Sequence, residues 1–127
     1  MKHILIFAGT TEGRELMEKI KHFQVEVFVS VATEYGKECL LKEPEKERTV
    51  STKHGEVQAG NLNIIAGRMK EVEMKRYMEK QAIDLVVDAT HPFAREVTKN
   101  IRTACREAGI SYLRLLRNPS EKDEGIC

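Results

Sequence analysis

A short apolar strand, a polar turn and an amphipathic helix, within residues 83–108, most strongly constrain what this chain can fold into. Leu85–Val87 is an apolar run of the kind found in strands buried on both faces of a parallel sheet. The next four residues are small or polar, and Pro92 suits the first position of a helix because it has no N–H to lose. Apolar residues then recur at helical spacing, at Ala94, Val97, Ile101, Ala104, Cys105 and Ala108. Open α/β sheets bind ligands where a strand leads through such a turn into a helix.

Strands and helices alternate along the rest of the chain. Apolar and β-branched runs predict four further strands, at His3–Ala8, Val25–Val31, Leu62–Ala66 and Ile110–Leu116. Helical spacing predicts three further helices: one with Leu16, Met17, Ile20 and Phe23 on its apolar face, one within Ala32–Leu41, and one over Met69–Lys80 with Met69, Val72, Tyr77 and Met78 inward. We expect a loop at residues 42–48, a weak hairpin at residues 50–60, and Gly109 at a left-handed helix C-cap. This alternation predicts an α/β fold, a Rossmann-like doubly wound parallel sheet of about five strands with helices on both faces.

Composition narrows the class of protein. With 127 residues, 41% of them hydrophobic and 32% charged, the chain suits one globular domain. Its formal net charge of +1 gives no reason to expect a nucleic-acid partner, and no apolar run approaches a membrane span. Three scattered cysteines fit neither a disulfide framework nor a zinc site. We therefore expect a cytoplasmic protein with no metal site, no nucleic-acid partner and no membrane contact, in which residues 1–119 form the domain and residues 120–127 a frayed tail.

The turn Gly9–Gly13 lies between the first strand and the first helix, where free helix N–H groups can hold a phosphate. The turn lacks the G-x-G-x-x-G fingerprint, because Thr11 and Arg14 occupy the second and third glycine positions. Phosphate binding and a purely structural turn are therefore both open. The second strand ends at residues 30–33 without the carboxylate that NAD-binding folds place there. A bound dinucleotide is therefore expected to be NADPH rather than NADH, with Arg14 as a candidate phosphate partner.

Asp88 and His91 form a candidate proton-handling pair in the polar turn after the central strand. The alternative is structural: Asp88 orders the turn, Thr90 caps the following helix, and His91 is partly buried. Taken alone, these residue types favour the structural alternative.

Four segments, each at the carboxyl end of a predicted strand, carry a family resemblance. They read IFAGTTEGR at residues 6–14, SVATEYG at 30–36, GRM at 67–69 and VDATHPFA at 87–94, with YLRLLR at 112–117 as a looser fifth. In these segments the chain resembles the precorrin-6A reductases, including the cobalt-precorrin-6A reductases of anaerobic cobalamin synthesis. The DATHPFA run is the most specific of them.

The resemblance implies an NADPH-dependent reduction of a tetrapyrrole-derived macrocycle, precorrin-6A or cobalt-precorrin-6A, with NADPH bound by the domain at residues 1–119. It implies an NADPH site lined by Gly9, Thr10, Thr11, Glu12 and Gly13, with Arg14 beside it and Ser30 and Thr33 near the ribose. It implies an edge facing the nicotinamide and the macrocycle that is lined by Gly67, Arg68, Thr90, His91, Pro92 and Phe93. His91, Asp88 and Thr90 are the catalytic candidates. We add that Arg68 could pair with a carboxylate arm of the substrate.

Members of this family are usually about twice as long as this chain, with a second α/β half that closes over cofactor and substrate. The resemblance therefore implies that this chain is the cofactor-binding half, inactive alone, with the other half supplied in cis or in trans. One alternative is a non-catalytic nucleotide-binding module of Rossmann-like fold. Another is a doubly wound domain whose turns are only structural and which binds no dinucleotide.

Overall fold

The computed structural model describes residues 2–32, 50–51, 56–59 and 61–116. Its strands are β1 (Lys2–Ala8), β2 (Val25–Val31), β3 (Val50–Ser51), β4 (Glu56–Ala59), β5 (Leu62–Ala66), β6 (Leu85–Ala89) and β7 (Ser111–Arg114). Its helices are α1 (Thr11–Ile20), α2 (Glu71–Lys80) and α3 (Arg95–Ala108). Thr33, most of the helix predicted within Ala32–Leu41, the loop at 42–48 and the tail at 120–127 lie outside the described residues.

The strands form one sheet in the order β3-β4-β5-β2-β1-β6-β7. The five strands β5, β2, β1, β6 and β7 run parallel, which confirms the predicted parallel sheet. The hairpin predicted at residues 50–60 is also present, since β3 pairs antiparallel with β4 and β4 antiparallel with β5. From β1 the chain moves outward through β2 to β5, then returns to β6 on the other side of β1. The topological switch point, where such sheets bind ligands, therefore lies between β1 and β6.

Helices cover both faces of the sheet, as predicted. On one face, Met17 of α1 packs into a cluster formed with inward residues of β1, β2, β5 and β6. On the other face, α2 and α3 bury Met74, Met78, Ile101 and Cys105 against the opposite side of β1, β2 and β6. Burial of these side chains is the main source of stability for the layered structure. Among the described helices, none combines the length and apolar character needed to cross a bilayer.

Two inward positions were predicted wrongly. Val72 is 58% exposed and Met74 lies in the core instead, because α2 begins at Glu71 and turns its Met74–Met78 side to the sheet. Residues 72 and 74 are two apart, which places them on nearly opposite sides of a helix. Phe23 is 65% exposed, because α1 ends at Ile20, before the residue that would complete its apolar face.

The start of α3 also differs from the prediction. The helix begins at Arg95 with Ala94 as its N-cap, so Pro92 is not its first residue and Thr90 does not cap it. Residues 91–94 instead form a separate turn, in which the Ala94 N–H donates to the His91 carbonyl at 2.9 Å. The end of the helix is as predicted, since Gly109 has φ +70° and forms the left-handed C-cap.

Candidate functional site

The turns after β1 and β6 are in close backbone contact at the carboxyl edge of the sheet. Ala8 is level with Ala89 in the parallel pairing, so the two chains leave the sheet side by side. A Cβ atom at Gly9 would lie 3.3 Å from the Thr90 Cα and 3.5 Å from the His91 nitrogen. A side chain at Gly9 would therefore require the Thr90 backbone to shift by a few tenths of an ångström. Glycine here permits the close packing of the two turns at the switch point.

Thr10 fixes the beginning of α1 beside β6. As N-cap residue, its hydroxyl oxygen accepts the Gly13 N–H at 3.4 Å, while its hydroxyl donates to the Ala89 carbonyl at 2.9 Å. Gly13 lets the helix approach the sheet, because a Cβ atom there would lie 2.9 Å from the Ala89 Cβ. The positive end of the α1 dipole is therefore held at the switch point, where it favours an anion.

Asp88 is the centre of a buried hydrogen-bond network at the end of β6. The residue is completely shielded from solvent. Its Oδ1 accepts the Thr90 backbone N–H at 3.1 Å and the Thr90 hydroxyl at 2.6 Å, and its Oδ2 accepts the Tyr112 hydroxyl at 2.8 Å. The Thr90 oxygen lies 3.2 Å from the Thr98 oxygen on α3. Because the Thr90 proton points to Asp88, Thr98 donates in that contact.

Arg114 binds both Asp88 and the turn that follows it. One guanidinium nitrogen lies 3.1 Å from the Asp88 Oδ1, 3.0 Å from the Asp88 carbonyl oxygen and 2.9 Å from the Thr90 carbonyl oxygen. The Arg114 side chain is 21% exposed and that of Asp88 is 0% exposed, so the ion pair is largely desolvated. A single cation thus holds the strand end and the turn together.

The network keeps Asp88 ionised. Burial alone would raise the pKa of Asp88, but hydrogen bonds from the hydroxyl and backbone N–H of Thr90 and from Tyr112 outweigh that effect, and the pKa is lowered. Burial, together with the hydrogen bond to Asp88, raises the pKa of the Tyr112 hydroxyl. At neutral pH, Asp88 therefore accepts hydrogen bonds and does not donate a proton. Its geometry matches the structural alternative, in which Asp88 orders the turn.

Tyr112 and Arg114 were not among the candidate site residues. In the pairing of β6 with β7, Val86 is level with Tyr112 and Asp88 with Arg114. Two polar residues spaced by two on a strand share one face of the sheet, and this was the available signal. Which face they share depends on the pairing register, which spacing alone does not reveal.

His91 and Phe93 lie together in the β6–α3 turn, where His91 is half-buried, as the structural alternative expected, and Phe93 is exposed. The Phe93 N–H donates to the His91 Nδ1 at 3.1 Å, so in the neutral ring the proton is on Nε2. The two rings lie 5.1 Å apart between centroids, and the Phe93 side chain is 82% exposed. The exposed turn therefore presents an aromatic surface beside an imidazole.

Ser30, Gly67 and Arg68 lie at the same edge on the other side of β1. Ser30 is buried near the end of β2, and Arg68 is exposed just after β5. Three strand spacings separate the end of β5 from that of β6, about 14 Å at the usual ~4.8 Å per strand. The structure thus places the candidate residues along one edge but in two groups, one beside β2 and one at the β1–β6 switch point.

Comparison with known proteins decides the family of this chain. The family model described as precorrin-6x reductase CbiJ/CobK matches residues 3–52 and 47–126. The chain belongs to this family. The match covers the segments at the ends of β1, β2, β5 and β6 and confirms the resemblance inferred from them.

Individual relatives of the precorrin-6x reductase family give the same result. A precorrin-6A reductase of Mycobacterium tuberculosis is 32% identical over 126 residues, which are 99% of this chain and 44% of that protein. A cobalt-precorrin-6A reductase of Methanothermobacter thermautotrophicus is 29% identical over 97% of this chain and 35% of its own length. The solved structure of a CobK precorrin-6A reductase has a TM-score of 0.69 at 24% identity, covering 98% of this chain and 42% of that one, and supports the fold. This chain spans less than half the length of these relatives.

Proposed function

We propose that this chain is the cofactor-binding half of an NADPH-dependent precorrin-6A or cobalt-precorrin-6A reductase of cobalamin biosynthesis. The proposal rests on the carboxyl edge of the sheet. The four segments that carry the family resemblance adjoin the ends of the neighbouring strands β5, β2, β1 and β6, and the family model matches all four. Relatives are more than twice as long as this chain. We therefore propose that a second half, in cis or in trans, completes the substrate cleft and that this chain alone does not turn over. We also propose a cytoplasmic location, in keeping with the buried free thiol of Cys105.

The residues at this edge fit a dinucleotide phosphate. The N-terminus of α1, with Thr10, Thr11, Glu12 and Gly13 in or beside its first turn, suits the pyrophosphate. The described end of β2, residues 30–32, carries no carboxylate that would repel a 2′-phosphate. Arg14, also in this turn, is a further candidate for the phosphates. NADPH, when bound, supplies the hydride, and the protein supplies binding and orientation.

The β6–α3 turn is the part of this chain that we propose faces the reacting atoms. Phe93 and Pro92 would present an apolar surface to the nicotinamide and the macrocycle, and His91 would carry a proton on Nε2 beside them. Asp88 is buried and ionised, so its role is to position the turn through Thr90. His91 is therefore our candidate for the proton that accompanies the hydride.

Calorimetric titration of the 127-residue chain with NADPH, with NADH as control, tests the cofactor assignment. We expect NADPH to bind with clear preference, because both proposed phosphate positions, at the N-terminus of α1 and at the end of β2, belong to this chain. If neither nucleotide binds, the proposal fails and the turn Gly9–Gly13 is only structural.

The reductase assignment needs a second measurement, made after the missing half has been added. NADPH oxidation is followed with precorrin-6A and with cobalt-precorrin-6A as substrates. Turnover of either supports a reductase. NADPH binding without turnover in the completed protein would instead support the non-catalytic nucleotide-binding module.

A further inference from the structure

A glycine turn after β5 holds Arg68 beside the end of β2. Val31 and Ala66 are level in the parallel pairing of these strands, and the Gly67 N–H donates to the Val31 carbonyl at 2.9 Å. Gly67 has φ +114°, a conformation that L side chains rarely adopt, and it turns the chain out of the strand. Arg68 is therefore the next residue after Gly67, whose backbone N–H is hydrogen-bonded to the last residue of β2.

The guanidinium of Arg68 is available for a ligand. The residue is exposed, and within the described part of the chain its side chain has no hydrogen bond or ion pair. No carboxylate lies among residues 30–32 or 66–70. Glu71 and Glu73 follow in the first turn of α2, where the Glu73 Oε1 already accepts the Lys70 backbone N–H at 3.1 Å. An exposed cation thus lies beside the end of β2, with no acid on either strand end.

We propose that Arg68 recognises the 2′-phosphate of NADPH and sets the preference of this site for NADPH over NADH. The inference rests on the proposed function and assigns one residue within it. In doubly wound folds the ribose of the adenosine half lies near the end of the second strand, where an acid selects NAD and an arginine accommodates the 2′-phosphate. The planar fork of a guanidinium matches phosphate oxygens in a bidentate geometry.

The strand order favours Arg68 over the alternatives. Arg14 belongs to the first turn of α1, which follows β1, so it lies nearer the expected pyrophosphate than the ribose. Arg68 is also separated from His91 by the three strand spacings from β5 to β6. That separation places Arg68 nearer to the ribose expected at the end of β2 than to the reacting atoms proposed beside His91.

The test compares Arg68→Ala with a charge-matched control. Arg106→Ala removes the same charge from an exposed site in the last turn of α3, at the opposite edge of the sheet. Each variant of the 127-residue chain is titrated with NADPH and NADH by calorimetry. We expect Arg68→Ala to weaken NADPH binding about ten- to one-hundredfold, the range of one charge-assisted interaction, and to leave NADH binding unchanged. Arg106→Ala should change neither affinity.

The outcomes separate this inference from the proposed function. If the parent chain prefers NADPH and Arg68→Ala keeps that preference, the assignment to Arg68 is wrong while the proposed function stands. Arg14→Ala then tests the other candidate for the phosphate. An equal loss of both nucleotides in Arg68→Ala also overturns a role in specificity. If the parent binds neither nucleotide, both proposals fail. Unchanged thermal melting of Arg68→Ala, expected for an exposed side chain, shows that any loss is local.

Discussion

Replacing Asp88 by asparagine tests whether the buried network stabilises the fold through a charge. The carboxylate, itself completely buried, accepts hydrogen bonds from Thr90 and Tyr112 and pairs at 3.1 Å with Arg114, whose side chain is 21% exposed. Asparagine has nearly the same shape, but it removes the negative charge and replaces one acceptor oxygen with a donor group. Hydrogen bonds to charged groups contribute about 1.5–3 kcal/mol, and removing one partner of a buried ion pair costs about 3–5 kcal/mol. The Arg114 guanidinium keeps two carbonyl acceptors, so we expect Asp88→Asn to lose about 2–3 kcal/mol.

The pH dependence of that loss identifies its origin. Because the pKa of Asp88 is lowered on folding, the carboxylate stabilises the protein fully above its unfolded pKa, near the ordinary aspartate value of 3.8. This stabilisation is lost as pH falls through the lower pKa of the folded state. The gap between parent and Asp88→Asn should therefore stay constant from about pH 8 to pH 5 and narrow below about pH 4.

Urea denaturation of the 127-residue chain measures both the loss in unfolding free energy and its dependence on pH, with Asp84→Asn as the control. Asp84 is exposed, and its Oδ2 accepts the His3 backbone N–H at 2.8 Å. The same chemical change there should cost less than about 1 kcal/mol because water replaces the lost interaction. Equal costs at the two positions, or an Asp88→Asn gap that does not narrow in acid, would refute the role of a buried charge.

Three further predictions concern packing and reactivity. Gly13→Ala should lower Tm, because the new Cβ atom would lie 2.9 Å from that of Ala89 and such overpacking costs about 1–3 kcal/mol. This cost exceeds the ~1 kcal/mol that alanine gains in helix propensity. An unchanged Tm would contradict the packing argument. Cys105 is 1% exposed, and burial together with the nearby Asp88 charge raises the pKa of its thiol to about 11. Maleimide at pH 8 should therefore label the Cys105 peptide only after unfolding, and rapid labelling of the native protein would contradict this burial. His91→Ala should reduce the activity of the completed two-half enzyme far more than its Tm; parallel losses would point to a structural histidine.

The strands could be predicted closely because apolar and β-branched residues are concentrated in them. The bounds predicted for Val25–Val31 and Leu62–Ala66 are those of β2 and β5. Both strands also contain polar residues (Glu26, Ser30 and Asn63), but their β-branched residues still favour an extended strand. The hairpin formed by β3 and β4 was predicted for similar local reasons, from the turn propensity around Gly55.

The polar turn could not be predicted to the same detail, because its geometry depends on contacts distant in sequence. Pro92 favoured an early helix start by its own backbone preference. In the structure, however, Asp88 accepts hydrogen bonds from Tyr112, 24 residues away, and Arg114 binds the Thr90 carbonyl. These contacts fix the strand end and its turn in a conformation that delays the helix to Arg95. Only the pairing of β6 with β7 brings Tyr112 and Arg114 into reach.

At the switch point, the contacts that stabilise the fold are also those of the proposed cofactor site, whereas at the β2–β5 end the two are separate. At the switch point, Gly9 packs against Thr90, and Thr90 is held by Asp88. A substitution there changes the fold and the site together, so a loss of binding cannot be attributed to either alone. Arg68 contributes no described contact to the fold, while the Gly67 N–H that precedes it is bonded to β2. If Arg68 sets the cofactor preference as proposed, a substitution there should change that preference without a cost in stability, so this is the position where the effect on binding is best measured by itself.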